Sequence, residues 1–383
     1  MTRDAVPISI GIEAAIRLAM LWARQMRATG PDPGRHRGPL GREGNLPDRP
    51  RSAGICLGGA YSRARRGLFD PIFFIPAQTH PSRESTDGRA RAFDTPHLRE
   101  GRAMLTTDWR PNAGVIFENQ TFAVGDVHGQ AEALGELLAH LAGLEQHGAE
   151  RELIFLGDLI DRGPDTLGAA RAAFAARDMF ETVVLLPGNH ELMLLAAMKG
   201  SMDSALLWLG NGGHDVLDEL QLPPKTNWAD TFAALEAALP EGWCEAYENG
   251  PTHLRRGRAR DALFIHAGIH PHLPIEEFLA RPRLERDDMH WAWIRQPFLD
   301  WQGGWDQHDL KLIMHGHTPA TTRPIEDGAT LEKLLDHTEA HGCICLDAGA
   351  MRRPQVAAVE FIKDQHRLHL RPAPDPYELG AWR

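Results

Sequence analysis

A chain of 383 residues is long enough for one large domain or two ordinary ones. With 52 acidic against 41 basic residues it carries a net charge of −11, which gives no reason to expect a nucleic-acid backbone as partner and suits a protein that gathers carboxylates around cations. Cys56, Cys244, Cys343 and Cys345 form no C-x-x-C pair, which argues against a zinc knuckle or a disulfide framework and favours a reducing cytoplasm.

In chain order, residues 8–28 have the spacing of an amphipathic helix. Glu13, Arg17 and Arg24 interrupt it too often for a signal-peptide core or a membrane span, and an organelle-targeting helix is the alternative. From Thr29 to about Gly101 the chain is dense in Arg, Pro and Gly, with a single apolar patch at 67–76. Such a stretch cannot bury enough surface to offset its ordering entropy. Residues 1–103 are therefore expected to be a disordered extension, with Met104 an alternative start, and 104–383 to be the folded domain.

Ordered sequence then runs almost without a break. Strand 121–125 precedes a helix near 130–146, where Ala133, Leu134, Leu137, Leu138, Leu141 and Leu144 recur at helical spacing. Strand 152–156 precedes a helix near 165–177, and strand 182–186 precedes one starting at about 190, a β-α-β-α-β run that predicts parallel crossovers. Residues 200–260 read as less regular and as rim. They hold L-W-L-G-N-G-G-H (207–214), a helical stretch Trp228–Leu239 and a basic turn, Arg255–Arg260. Strand signals return at Ala262–Gly268, Lys311–Thr318 and Cys343–Gly349, and Gln355–Ile362 reads as the closing strand. The tryptophans of 291–305 are expected to pack in the core or rim. Cys343 and Cys345 share a strand face and read as small core residues.

The chemistry sits where these apolar runs end. T-F-A-V-G-D-V-H-G (121–129), E-L-I-F-L-G-D-L-I-D-R-G (152–163) and T-V-V-L-L-P-G-N-H-E (182–191) each meet a Gly and then expose Asp, His or Asn. In an open α/β sheet that edge is where ligands bind. Together with later strand ends, they offer Asp126, His128, Asp158, Asn189, His266 and His317. These are oxygen donors mixed with imidazoles, without thiolate, a set suited to Mn²⁺, Fe or Zn²⁺ and numerous enough for two ions bridged by a carboxylate.

G-D-V-H-G (125–129), G-D-L-I-D-R-G (157–163), G-N-H-E (188–191), H-A-G (266–268) and G-H-T (316–318) resemble, in that order, the phosphoprotein phosphatase branch of the calcineurin-like metallophosphoesterases. The resemblance covers roughly 120–350. D-R-G marks the branch that holds the phosphoprotein phosphatases and diadenosine tetraphosphatases, and phosphodiesterase relatives usually lack it. The resemblance implies that Asp126 and His128 hold a first metal, Asp158 bridges, and Asn189, His266 and His317 hold the second. His315 is a neighbouring competitor for the last position. It further implies a metal-bridging hydroxide attacking phosphorus in line, His190 as general acid oriented by Asp161 with its pKa raised by that carboxylate, and Arg162 as phosphate clamp. W-A-W-I-R (291–295) resembles the family's W-x-R element and nominates Arg295 as a second clamp. Asp347 matches a late strand-end Asp and is expected to support the site from behind. Departures from the eukaryotic protein phosphatases at 200–260 and after 350 leave protein-substrate specificity open.

The expected fold is α/β, two mixed β-sheets packed as a sandwich flanked by helices, with a doubly wound sheet as the alternative. The expected function is that of a bacterial-type serine/threonine protein phosphatase with two divalent ions, Mn²⁺ foremost, in the cytoplasm. Symmetrical diadenosine tetraphosphate hydrolysis is the alternative on the same metals, and a non-catalytic phosphate-binding protein the alternative of another class. The expected partners are phosphoproteins or phosphorylated nucleotides, with neither nucleic acid nor membrane.

Overall fold

A computed structural model describes residues 103–224 and 226–373. The expected helix at 8–28, the extension up to residue 102, Cys56 and the end of the chain after 373 lie outside the described residues. Among the described residues, no helix is long and apolar enough to cross a membrane.

Alternation along the strands builds the architecture. In β3 (Phe117–Val124), Phe122 and Val124 point to one face and Ala123 to the other, and all three are buried. In β4 (Arg151–Phe155), Leu153 and Phe155 oppose Ile154 in the same way. A strand buried on both faces needs a layer on each side. On the first face, Phe122, Val124, Leu153 and Phe155 pack against Leu134, Leu137, Leu138 and Leu141 of the helix Ala131–Ala142. Burying each of those leucines stabilises by roughly 1.5–3 kcal/mol. On the second face, Ala123 and Ile154 join Phe264, Met314, Ile344 and Val359 in a core between two sheets.

The first sheet has the order β1 (Leu105–Thr106), β12 (Gln365–Arg371), β11 (Val356–Lys363), β3, β4, β5 (Thr182–Leu185), with β2 (Arg110–Pro111) also on β12. β3, β4 and β5 run parallel, and β11 and β12 join antiparallel. The second sheet has the order β6 (His253–Arg256), β7 (Ala262–Ile265), β8 (Leu312–His315), β10 (Cys343–Cys345), β9 (Asp336–His337). Its three central strands are parallel and its edges antiparallel. This is the expected sandwich of two mixed sheets. A single doubly wound sheet is ruled out by the second one.

Two expectations need correction. Residues 200–260 are less irregular than expected: besides the expected helix, which spans Trp228–Ala238, helices span Met202–Trp208, His214–Leu220 and Trp243–Asn249, and β6 takes up the first two residues of the expected basic turn. The three unexpected helices are short and bury only a few residues each, such as Trp208, Val216 and Tyr247, so no sustained apolar stripe marks them. In β6, Arg256 forks onto Glu152 of β4 at 2.7–3.1 Å. Nor is 355–362 the last strand, because the chain doubles back into β12. That strand conceals itself by burying polar residues that satisfy one another: His369 and Arg367 both bond Glu360.

The tryptophans bear out core and rim packing. Trp291 and Trp305 are buried, while Trp293 and Trp301 are half-buried against the same cluster. Cys343 and Cys345 are buried free thiols, and burial alone pushes Cys343 up to about 12.

Candidate functional site

Carboxyl ends of strands from both sheets converge. β3 delivers Asp126 and His128, β4 delivers Asp158, Asp161 and Arg162, and β5 delivers Asn189 and His190 at the start of the helix Asn189–Met198. From the second sheet, β7 delivers His266, β8 delivers His317, and β10 delivers Asp347. His128, Asp158, Asp161, Arg162 and His317 all adopt positive φ, between 45° and 73°. Side-chain-bearing residues occupy that region only where surrounding structure holds them, and such strain concentrates at functional sites. Gly188 is glycine for a local reason, since a Cβ there would strike the Asp158 carboxylate.

Asp158 is the centre. Its Oδ2 lies 3.6 Å from His128 Nε2 and 4.0 Å from His190 Nε2, and its Oδ1 lies 3.4 Å from His266 Nε2. Asn189 Oδ1 sits 3.1 Å from His266 Nε2 and 2.8 Å from His317 Nδ1. Asp126 Oδ1 accepts the His317 backbone N–H at 3.0 Å, and its Oδ2 is 3.8 Å from His128 Nε2. All six expected ligands therefore come together. The geometry adds one twist: the tightest ligand-capable groups are His128–Asp158–His190 and Asp158–His266–His317, so His190 stands in the first and Asp126 beside it. His315 belongs to neither; it packs against Phe298 and bonds Gly316 O.

The donors are arranged as a metal would need them. His128 Nδ1 faces Ile160 O at 3.1 Å and His266 Nδ1 faces Leu156 O at 2.9 Å, an arrangement that turns both Nε2 atoms inward. Burial, reinforced by Arg162, holds His128 well below the usual imidazole range, and burial with the charge of His266 does the same to His317. Neutral imidazole is the ligating form. His266 is raised: burial opposes this, but the Asp158 carboxylate outweighs it. Burial also resists the Asp158 anion, and His266 first, then His190 and His128, bring it well below the carboxylate range. Burial drives Asp126 well above that range, aided by Asp347 and Asp158, and burial takes Asp347 to about 6. Three carboxylates crowded in a dry pocket, with His317 Nε2 and His190 Nε2 buried and unpartnered, fit divalent cations and little else.

His190 Nδ1 lies 2.6 Å from Asp161 Oδ2, and the other Asp161 oxygen accepts Trp208 Nε1–H at 2.9 Å. The expected upward shift of His190 is not found. Burial lowers it to about 3, and burial likewise raises Asp161 well above the carboxylate range, because a dry site disfavours both charges. Arg162 donates from Nε to Asn211 O at 3.0 Å and from Nη1 toward His128 Nε2 at 3.1 Å. Arg295 is exposed as a residue, yet its guanidinium is partly withdrawn from water, which lowers it, with Arg162 adding to this and Asp158 opposing; it makes no side-chain hydrogen bond or ion pair among the described residues. Asp347 accepts Gly349 N–H and borders Asp126, as expected of a supporting residue.

Two functional residues escaped the sequence reading. Glu191 accepts backbone N–H groups of Gly188, Asp158 and Leu159 at 2.8–2.9 Å and so ties two ligand loops together. Burial, then Asp158, pushes it to about 7, against the pull of those N–H groups. Its place in G-N-H-E was the available signal. Trp208, 47 positions from Asp161, gave none.

Residues 121–323 match the family model described as calcineurin-like phosphoesterase. Serine/threonine-protein phosphatase 1 of Salmonella typhimurium is 30% identical over 203 residues, which are 53% of this chain and 80% of that protein. The symmetrical bis(5'-nucleosyl)-tetraphosphatase of Bordetella pertussis is 37% identical over 233 residues, 60% of this chain and 68% of that one. The asymmetrical bis(5'-nucleosyl)-tetraphosphatase PrpE of Oceanobacillus iheyensis is 28% identical over 39% of this chain, which spans 56% of its length. The family match covers more than half of the chain and contains every candidate ligand, so the chain belongs to the calcineurin-like phosphoesterases, hydrolases of phosphoric esters.

Proposed function

We propose that residues 104–383 form a dinuclear-metal phosphomonoesterase of the bacterial serine/threonine protein phosphatase type. The observation that carries this is the His190–Asp161 pair, set 2.6 Å apart with His190 Nε2 unpartnered toward Asp158. A site that only bound phosphate would have no use for it. Asp126 and His128 would hold one ion, Asn189, His266 and His317 the other, and Asp158 both. The mixed oxygen and imidazole donors favour Mn²⁺, with Fe or Zn²⁺ also accommodated. When bound, such ions supply Lewis acidity and acidify water near neutral pH.

The chain's own residues do the rest. Arg162 and Arg295 neutralise and orient phosphoryl oxygens with planar donor forks. His190 and Asp161 together hold one proton more than a neutral imidazole and a carboxylate. With both drawn toward neutrality, protonated Asp161 donates to Nδ1 and Nε2–H faces the leaving oxygen. The proton belongs to the pair instead of to either residue. Transfer to a departing serine alkoxide makes a poor leaving group a tolerable one.

A second reading, hydrolysis of symmetrical dinucleoside tetraphosphates, is favoured by the 37% identity to the Bordetella pertussis protein. The test is a panel of p-nitrophenyl phosphate, a phosphoserine peptide and diadenosine tetraphosphate with Mn²⁺ added. Faster turnover of the phosphopeptide supports the first reading and of the dinucleotide the second. No turnover of any leaves only a binding role. The buried thiols Cys343 and Cys345 suit a reducing cytoplasm, which is proposed as the location.

A further inference from the structure

The segment Leu207–His214, L-W-L-G-N-G-G-H, touches Asp161 and Arg162 but takes no step in the chemistry proposed above. We infer that it is a positioning element for the Asp161–Arg162 pair, acting through Trp208 and Gly212. The inference rests on the phosphoesterase reading and adds to it what fixes the acid partner and the phosphate clamp.

Asp161 and Arg162 are consecutive residues with φ of 73° and 70°. Two adjacent side-chain-bearing residues do not stay in that region unaided. The helices Met202–Trp208 and His214–Leu220 meet in a widened turn, Leu209–Gly213, that lies against this strained pair. Trp208, fully buried, donates its indole N–H to Asp161 Oδ1 at 2.9 Å, while Oδ2 faces His190. With both oxygens engaged, the carboxyl plane cannot turn. A Cβ on Gly213 would strike the indole ring, so glycine is what admits the ring there.

Arg162 is held from the same turn. Its Nε donates to Asn211 O at 3.0 Å, and its backbone N–H points to Gly212 O at 3.5 Å. Gly212 has φ of 115°, and a Cβ there would come within 2.6 Å of Arg162 Cγ. Asn211 Nδ2 closes the turn onto Leu207 O at 2.8 Å. The Nε edge of the guanidinium is thus spent on the backbone, which turns Nη1 onto His128 Nε2 at 3.1 Å and leaves Nη2 without a partner among the described residues. Core packing alone would explain a buried Trp beside Phe232, 6.3 Å away. It does not explain an indole N–H on the acid's partner and a glycine against the clamp within one turn.

The test uses the full chain loaded with Mn²⁺ and a series of esters from p-nitrophenyl phosphate to phenyl phosphate and phosphoserine peptide. Trp208→Phe keeps a ring and removes the donor. Its kcat should fall about tenfold on the poor leaving groups and less on p-nitrophenyl phosphate, with KM and metal content within about twofold. Gly212→Ala should instead raise KM and weaken inorganic phosphate binding, measured by calorimetry, by about tenfold with kcat less affected. Equal loss on all leaving groups in Trp208→Phe, or no change in either variant, overturns the inference. Should Gly212→Ala not fold, Trp208→Phe decides alone. Should the wild type turn over none of these esters, the phosphoesterase reading fails, and phosphate binding by Gly212→Ala still judges how Arg162 is held.

Discussion

The Glu191 carboxylate accepts the Asp158 backbone N–H at 2.8 Å, so the residue at the centre of the ligand cluster is held from the neighbouring strand end. The same side chain takes the N–H groups of Leu159 at 2.8 Å and Gly188 at 2.9 Å. Glu191→Ala would leave these donors buried without acceptors, at about 1–3 kcal/mol for each. It should therefore cost roughly 3 kcal/mol or more in urea unfolding, and Glu191→Gln, which keeps one acceptor oxygen, clearly less. A Glu191→Ala protein within about 1 kcal/mol of wild type would mean that the loops hold themselves.

Asp158 reaches three imidazoles, His128, His190 and His266, within 4.0 Å. If it bridges two ions, Asp158→Asn should lower the content of both together, because the shared charge is lost to each. Metal analysis of the purified variant checks this. Retention of two tightly held ions would assign the bridge elsewhere.

The candidate ligand set was legible because each of its members stands at the end of an apolar run with a glycine within two residues of it, a purely local pattern. So was the sandwich, since β3 and β4 are apolar on both faces and strand signals recur after residue 260. What stayed hidden depends on distance in the chain. Trp208 meets Asp161 across 47 positions and Glu191 meets Asp158 across 33. Between Met202 and Asn249 only the helix Trp228–Ala238 was legible, and the three shorter ones bury too few residues each to declare a period. The sign of the His190 shift was hidden for another reason: Asp161 can be read from D-R-G, but the depth of burial that lowers the imidazole and raises the acid cannot.

Away from the cluster, Asp336 carries a testable dependence on pH. Its Oδ2 lies 2.9 Å from His366 Nε2 and 3.3 Å from Arg110 Nε, and its Oδ1 accepts Thr338 N–H at 3.0 Å. Burial works against the carboxylate, yet the hydrogen bond and charge of His366 outweigh it and bring Asp336 down to about 2. A depressed acid stabilises the fold above its unfolded pKa of about 3.9 and loses that contribution as pH falls toward the folded value. With solvent screening the contribution is about 1–2 kcal/mol. Asp336→Asn should be less stable than wild type by that amount at pH 7, compared in urea with a chelator present. The gap should close between about pH 4 and pH 2. A gap that does not change with pH would remove the carboxylate as its cause.

The sharpest question concerns His190, which the geometry offers two roles. Its Nδ1 faces Asp161 at 2.6 Å, as a proton donor's would, and its Nε2 shares a ligand-capable group with His128 and Asp158. His190→Asn separates them. If His190 is the acid, metal content stays near wild type and kcat falls by ~10²–10⁴-fold for a serine phosphate, whose alkoxide must be protonated as it leaves. For p-nitrophenyl phosphate, whose phenolate leaves unaided, the loss should be much smaller. Asp161→Asn should show the same dependence in weaker form, since it alters only the orientation and proton supply of the imidazole. Equal losses on good and poor leaving groups would instead assign His190 to stabilising phosphoryl charge. Loss of metal along with activity would make it a ligand, with Asp126 as the bystander of the first group.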